Sequence, residues 1–255
     1  MCGRYFLQRD PAALARYYDV PDGSPTPNAA PSWNRAPTQD GLVLRRHPET
    51  GERRLDALRW GLVPRWAKDA RDGARLINAR ADGVAEKPSF REAFRKRRCL
   101  VPADGFYEWL TPTEAEARTR PKDPKQPYAV ALASGEPMSL AGIWEGWKDP
   151  EGNWLRTYSI ITTEANPKQA PLHHRMPVIL GRGDWGAWLG EEASEEALLG
   201  LLRPCPPEWL ACWPVSKRAN KVSENDASLI LRDASVVAPA GLDDPSPYEA
   251  ARDAA

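Results

Sequence analysis

Short runs of apolar and polar residues along much of the chain have the pattern of β-strands rather than of long helices. GLVLRRH and RRLDALRWGLVP flank the turn-forming PETGE, and alternation of Arg and Leu predicts a hairpin with one buried face. Further along, RCLVPADGFYEWL, PYAVALA, MSLAGIWEGW and TYSIITT are rich in β-branched or aromatic residues and are separated by turn residues. These runs predict one antiparallel sheet.

Helical patterns are fewer and lie outside these strands. PAALARYYDV carries Leu14, Tyr17 and Tyr18 at helical spacing, PSFREAFRKRR indicates a basic helix, and DWGAWLG and SEEALLGLLR indicate two late helices. Five prolines within residues 21–37 predict a loop without regular structure. The fold class predicted is α+β, a mixed but mainly antiparallel sheet that is curved into a partly closed β-barrel with flanking helices.

The length of 255 residues suits one large domain, which we place at residues 2–232. From Asp233 to the end, Ala, Asp and Pro outnumber large apolar residues, and this composition predicts a loosely attached, flexible tail at 233–255. The charged segment 111–126 contains three prolines and no apolar run, so it predicts a solvated hairpin loop.

Composition excludes several classes of protein. With 42% hydrophobic and 27% charged residues, the chain is expected to fold as a globular protein. No apolar run approaches the roughly 20 residues that span a bilayer, and no signal peptide is evident, so we expect a cytoplasmic protein without a membrane partner. The four cysteines and three histidines lack zinc-site spacing, and no metal or other cofactor is expected.

The charged residues are distributed unevenly, although the formal net charge is zero. Residues 1–110 contain 20 Lys and Arg against 14 Asp and Glu, and the rest of the chain contains 15 against 21. A neutral chain is not expected to coat nucleic acid by phosphate neutralisation alone. The N-terminal half, however, can present a basic face.

The chain begins Met-Cys-Gly, and removal of Met1 would leave Cys2 with a free α-amine beside its thiol. Such an amine has a reference pKa of about 8 and can attack an aldehyde near neutral pH. The thiol can then close a five-membered thiazolidine ring on the imine, helped by its high effective concentration. Taken alone, Met-Cys more often marks a buried cysteine in a strand.

Three further segments carry polar residues suited to such chemistry. In LINARAD, Asn78 offers a paired donor and acceptor and Arg80 a phosphate-binding fork, although both residue types also occur at ordinary strand ends. In ADGFYEW, Glu108 interrupts the apolar alternation, so the pattern leaves open whether it is exposed or buried. In LHHRMPVIL, His173 is the candidate for proton transfer, because adjacent histidines on an extended chain point to opposite sides.

These segments occur together with others in one order along the chain. CGRY at residues 2–5 is followed by WNRAPT, WGLVP, INAR, ADGFYEW, ITT, HHRMP and PVS. The chain resembles the SRAP (SOS response-associated peptidase) family in this order of motifs over about residues 2–230. Asp82 stands where many members of the family have Glu, and segment 111–126 is longer than usual.

The resemblance implies a single SRAP domain that forms a covalent crosslink with abasic sites in single-stranded DNA or at junctions of single- and double-stranded DNA. It implies a thiazolidine at Cys2 and roles around the crosslink for Asn78, Glu108 and His173. The DNA-binding residues that it implies are Arg4, Asn34, Pro37, Trp66, Arg80, Thr162 and Arg175. We expect a monomer that associates with the nucleoid when it is bound to DNA.

Two other functions remain open from the sequence. An N-terminal-nucleophile peptidase would use the Cys2 thiol to attack an amide, with its own amine as base, and could remove Met1 itself. The family name records a peptidase, and lyase activity is the further reaction that the resemblance suggests. A non-covalent single-strand binder would show salt-sensitive binding that does not depend on Cys2.

Overall fold

The computed structural model describes residues 2–110, 124–190 and 193–248. Residues 111–123 of the predicted hairpin loop at 111–126 lie outside the described residues. The strands are β1 (Tyr5–Leu7), β2 (Ser32–Arg35), β3 (Asp40–Arg46), β4 (Arg53–Trp60), β5 (Asn78–Arg80), β6 (Arg98–Ala103), β7 (Gly105–Trp109), β8 (Pro127–Leu132), β9 (Met138–Lys148), β10 (Trp154–Glu164), β11 (Arg175–Pro177) and β12 (Leu210–Pro214). The α-helices are α1 (Pro11–Tyr17), α2 (Arg91–Lys96), α3 (Trp185–Leu189) and α4 (Glu195–Gly200).

Five of these strands close into a β-barrel in the order β10, β4, β3, β6 and β9, with β9 returning to β10. The predicted hairpin is β3–β4, and it is paired antiparallel along its whole length. Strand β10 is the junction of the barrel, because it also pairs with β5 and β11. The α+β fold with a barrel and flanking helices is therefore confirmed.

A second sheet has the order β12, β8, β7, β1 and β2. The prediction that these runs form one sheet is wrong, since β7 and β8 lie in the second sheet whereas β6, β9 and β10 lie in the barrel. Their pairings with one another are antiparallel, and the parallel pairings of β10 with β4 and β5 agree with the predicted mixed sheet. Alternation along a strand reports which face is buried, but the direction of its neighbour depends on how the chain returns. The chain passes from the barrel to the second sheet at Asp104, between β6 and β7.

Strand β1 joins the two sheets through Tyr5. Its backbone pairs with Arg35 on one side and Phe106 on the other, within the second sheet. Its side chain is buried against the barrel, with the ring 5.2 Å from that of Trp60 and the hydroxyl 2.8 Å from the Tyr158 hydroxyl. These contacts hold the N-terminal segment between the sheets.

Two segments differ from the sequence prediction. Residues 21–37 are not wholly irregular, because the four proline-free residues Ser32–Arg35 form β2 at the edge of the second sheet. Part of the predicted loose tail is packed: Leu242 is buried, and the Tyr248 hydroxyl donates to the Asp104 carbonyl at 2.6 Å.

Within the described ranges, no helix is long and apolar enough to cross a bilayer.

Gly105 is required where β7 pairs with β1, because it lies directly opposite Phe6. A Cβ atom there would lie 2.4 Å from the Phe6 ring and 2.5 Å from the Val130 carbonyl oxygen. We expect Gly105→Ala to lower the free energy of unfolding by about 1–3 kcal/mol, the usual cost of overpacking. Urea denaturation measures the change. Gly183→Ala is the matched control, because its Cβ would meet no atom within 4 Å; equal unfolding midpoints for the two variants would contradict the prediction.

Candidate functional site

The first residues before β1 bring Cys2 against the start of β5. Cys2 is fully buried, and its carbonyl oxygen accepts a 2.8 Å hydrogen bond from the Asn78 side-chain amide. Asn78 is placed by the parallel pairing of β5 with β10, where it lies opposite Ile160. Two of the predicted catalytic residues are thus in direct contact, although 76 positions separate them in the chain.

Glu108 lies on β7, and the structure settles the question that its sequence pattern left open. The residue is buried, opposite Tyr128 of β8. Burial raises the pKa of the Cys2 thiol to about 12, and the negative charge of Glu108 contributes to the same shift. A thiol in this environment rests in its protonated form at neutral pH.

His173 is half-buried just before β11, and its ring is oriented by the backbone. Its Nδ1 atom accepts a 2.9 Å hydrogen bond from the Arg175 amide, which places the proton of the neutral ring on Nε2. Burial lowers the pKa of His173, and the Glu108 charge opposes that shift. Glu108 therefore acts electrostatically on both Cys2 and His173.

The two adjacent histidines do not point to opposite sides as predicted. The rings of His173 and His174 stack with centroids 4.3 Å apart and planes inclined by 23°. The rule of alternation fails because both residues precede β11 and are not part of a strand. His174 is exposed, so the half-buried His173 remains the candidate for the site.

Arg4 and Asn34 form a connected pair at one side of Cys2. Arg4 donates to the Asn34 side-chain oxygen at 2.7 Å, and its guanidinium lies 5.8 Å from the centroid of the Trp109 ring. The buried Asn34 amide donates to the carbonyl oxygens of Lys221 and Glu224 at 2.9 and 2.8 Å. Asn34 therefore holds Arg4 and a distant loop in place.

Sequence reasoning missed that loop, residues 217–224, as part of the site. Arg4 donates to the Ala219 carbonyl at 3.2 Å, and Trp109 donates to the Asn220 side-chain oxygen at 2.5 Å. The available signal was the PVS motif at residues 214–216, since the Ser216 side chain begins the short 3₁₀ helix Lys217–Asn220 by accepting from the Arg218 amide.

A second group of polar side chains is organised by β10. Thr162 pairs with Arg80 of β5 and with Pro177 of β11, so the strands that carry Arg80 and Arg175 flank it. Arg175 donates to the Thr162 carbonyl oxygen at 2.5 Å. Asp82, which was not among the predicted site residues, accepts two hydrogen bonds from Arg80. Within the NARAD motif, Arg80 and Asp82 therefore form an ion pair.

The remaining predicted DNA contacts are less enclosed. The side chain of Trp66 is 66% exposed in the segment after β4. Pro37 is half-buried and precedes Thr38, which adopts a positive φ of 71° in the turn into β3. In the part of the chain that the structure describes, neither side chain forms a hydrogen bond, an ion pair or a ring contact with Cys2. Among the described residues, no group of His, Cys, Asp and Glu is arranged to hold a metal ion.

The model of one protein family, "SOS response associated peptidase (SRAP)", matches residues 1–222. This chain belongs to the SRAP family. Among its relatives is abasic site processing protein YoqW of Bacillus subtilis (strain 168), 38% identical over 231 residues that cover 90% of this chain and 99% of that protein. Abasic site processing protein HMCES of Rattus norvegicus is 32% identical over 88% of this chain and 74% of its own length. A crystal structure of a protein from Bacteroides thetaiotaomicron superposes with a TM-score of 0.78 and 26% identity, covering 91% of this SRAP chain and all of that one.

The electrostatic role of Glu108 can be tested by titration. We expect Glu108→Gln to lower the pKa of His173 further, because the substitution removes the charge that raises it. The histidine Cε1–H resonances in NMR spectra report the midpoint, and with three histidines in the chain a His173→Gln spectrum assigns the signal.

The control for this titration is Glu164→Gln, which removes an exposed carboxylate at the end of β10. That carboxylate acts on Arg175 rather than on His173, so the His173 midpoint should stay where it is in the unsubstituted protein. A rise of the midpoint in Glu108→Gln would show that the side chain acts on His173 by some means other than its charge.

Proposed function

We propose that this protein processes abasic sites in single-stranded DNA by forming a covalent thiazolidine with Cys2 after removal of Met1. The observation that carries the proposal is the placement of Cys2: it is buried, its carbonyl is held by Asn78, and the charge of Glu108 acts on both the Cys2 thiol and the His173 ring. Membership of the SRAP family, together with relatives that are named abasic site processing proteins, supports the same activity.

The reaction begins at the α-amine rather than at the thiol. The amine nitrogen attacks the C1′ aldehyde of the ring-opened abasic sugar, and loss of one water leaves an imine. The S–H group then adds across the C=N bond, so that sulfur bonds to carbon and the proton ends on nitrogen. No oxidant or reductant is needed. The amine can act first because an α-amine with a reference pKa of about 8 is partly unprotonated at neutral pH, whereas a protonated thiol is a weak nucleophile.

The neighbouring side chains supply proton transfer and position. The neutral His173 ring carries its proton on Nε2, where it can protonate the departing hydroxyl or the opening sugar oxygen. The negative charge of Glu108 stabilises the ammonium or iminium forms of the Cys2 nitrogen. Asn78 fixes the Cys2 carbonyl, so that the amine and the thiol share one orientation.

The DNA strand is held by residues on both sides of Cys2. Arg4, Arg80 and Arg175 are the proposed phosphate contacts, and the exposed ring of Trp66 can stack on a base next to the lesion. Asn34 then acts by positioning Arg4, and Thr162 acts by positioning Arg175. Pro37 lines the path by which the DNA reaches the site. An abasic sugar enters without a base that would have to be accommodated, and this favours the lesion over intact DNA.

Peptide hydrolysis by the Cys2 thiol is the competing function, and the family description favours it by name. With Met1 in place, however, burial keeps the thiol protonated, whereas a cysteine peptidase needs a thiolate. Cleavage of unrelated peptides at a rate that is lost in Cys2→Ala would show that Cys2 acts as a peptidase nucleophile and would overturn the proposed function. Persistence of Met1 in Glu108→Gln or His173→Gln would show that this chain removes Met1 itself.

Intact-mass spectrometry tests the crosslink directly. After incubation with a single-stranded oligonucleotide containing one abasic site, we expect a species with the mass of the protein lacking Met1 plus the oligonucleotide, less one water. Cys2→Ala should give no such stable species, because an imine without the thiol reverts by hydrolysis. An adduct of equal yield from Cys2→Ala, or a fully active protein that retains Met1, would contradict the proposal.

Substitution of His173 should slow capture without preventing it. General acid–base catalysis by one side chain contributes about 10²–10⁴-fold, so His173→Gln should reduce the rate of crosslinking by at least about tenfold at saturating DNA. The measurement is a time course on denaturing gels. His174→Gln is the matched control, since it removes the exposed partner of the stacked pair. Equal crosslinking rates for the two variants would show that His173 takes no part in the reaction.

A further inference from the structure

The carboxylate of Asp82 lies between Arg80 and Arg175, two of the proposed phosphate contacts. Arg80 donates to Asp82 from Nε at 2.9 Å and from Nη2 at 2.5 Å, one bond to each oxygen. The Arg175 Nη2 atom lies 3.9 Å from the same carboxylate. A two-pronged contact of this kind is how a guanidinium binds a phosphate. Asp82 therefore occupies the position of the expected ligand.

The exposure of the three side chains suggests that the contact can be exchanged. Arg80 and Asp82 are 55% and 56% exposed, whereas Arg175 is 12% exposed. An exposed ion pair contributes little to the stability of a fold, because water screens it. Hydrogen bonding from Arg80 holds the pKa of Asp82 at about 2, so the carboxylate stays charged throughout the neutral range. The Arg80–Asp82 ion pair is therefore charged throughout the neutral pH range, but it contributes little to the free energy of unfolding.

Arg175 supplies an independent observation. Its Nε atom is buried and has no hydrogen-bond partner among the described residues. Its Nη2 atom donates to the Thr162 carbonyl oxygen, and its backbone amide donates to His173. A buried guanidinium donor without an acceptor is costly. The guanidinium therefore retains donor capacity for a ligand, next to the candidate catalytic histidine.

We propose that Asp82 competes with DNA phosphate for Arg80 and Arg175. This competition lowers the non-covalent affinity of the protein for undamaged single-stranded DNA. This inference rests on the proposed function and adds to it a limit on non-covalent binding to single-stranded DNA. An intact strand must displace Asp82 and gains no covalent bond, so it dissociates readily. An abasic strand is retained once Cys2 reacts. Low non-covalent affinity thereby keeps the protein from accumulating on undamaged single-stranded DNA.

The test uses the full-length protein and a fluorescein-labelled undamaged oligothymidylate, with fluorescence anisotropy read across a series of NaCl concentrations. Asp82→Asn keeps the shape and one acceptor but removes the charge. We expect it to bind about three- to tenfold more tightly at low salt. The plot of log K against log[salt] should also steepen by about 0.7, the contribution of one additional cationic contact to single-stranded DNA.

Two variants serve as controls. Asp243 accepts from Nε and Nη2 of Arg232 at 2.9 and 2.5 Å in another exposed pair, so Asp243→Asn removes an equal charge from the protein. Its affinity and salt slope should match those of the unsubstituted protein. Asp82→Glu retains the carboxylate, so its affinity and its salt slope should lie closer to those of the unsubstituted protein than to those of Asp82→Asn.

The outcomes separate the two proposals. If Asp82→Asn binds more weakly, or shows the same affinity and slope as Asp243→Asn, the competitor role is overturned, and Asp82 instead positions Arg80 or is inert. In either case, capture of abasic DNA by the unsubstituted protein leaves the proposed function standing. If the unsubstituted protein neither binds the oligothymidylate nor captures abasic DNA, the proposed function itself fails. As a second readout, Asp82→Asn should raise the capture rate at limiting protein by the same factor as its affinity.

Discussion

The hydrogen bond between the Tyr5 and Tyr158 hydroxyls, inside an apolar core, is the contact on which the site depends. Tyr5 belongs to a strand of only three residues, which has too few backbone hydrogen bonds to hold its position alone. Packing on Trp60 and bonding to β10 attach this strand to the barrel. Because Cys2 lies three residues away, its position relative to Asn78 is set by that attachment.

Charge in the site is arranged in two zones. Around Cys2 the described side chains are buried, and burial together with the charge of Glu108 raises the pKa of the thiol, so that the thiol is neutral. Further out, Arg80 and Arg175 face Asp82 near solvent. In the proposed function, the inner zone carries the reaction of Cys2 and the outer zone exchanges contacts with DNA phosphate. Strand β10 connects the two, since β5 and β11 both pair with it.

Much of the architecture was accessible from local patterns. The β3–β4 hairpin, the positions of the four α-helices among the described residues and the α+β class follow from periodicity and turn residues, which act between residues close in the chain. The division into two sheets and the parallel pairing of β10 did not follow, because strand partners are chosen by long-range packing. For the same reason, residues 233–248 were predicted to be loose although Leu242 and Tyr248 are packed.

The sequence by itself determined which chemical groups are present: a cysteine at position 2, the order of motifs that resembles the SRAP family, and the residue types able to move protons or bind phosphate. Only the tertiary structure decided that Glu108 is buried, that Asn78 contacts Cys2, and that Asp82 pairs with Arg80 near Arg175. Protonation states and ion pairs depend on desolvation and on distances between residues far apart in the chain. No local pattern contains that information, and the fold supplies it.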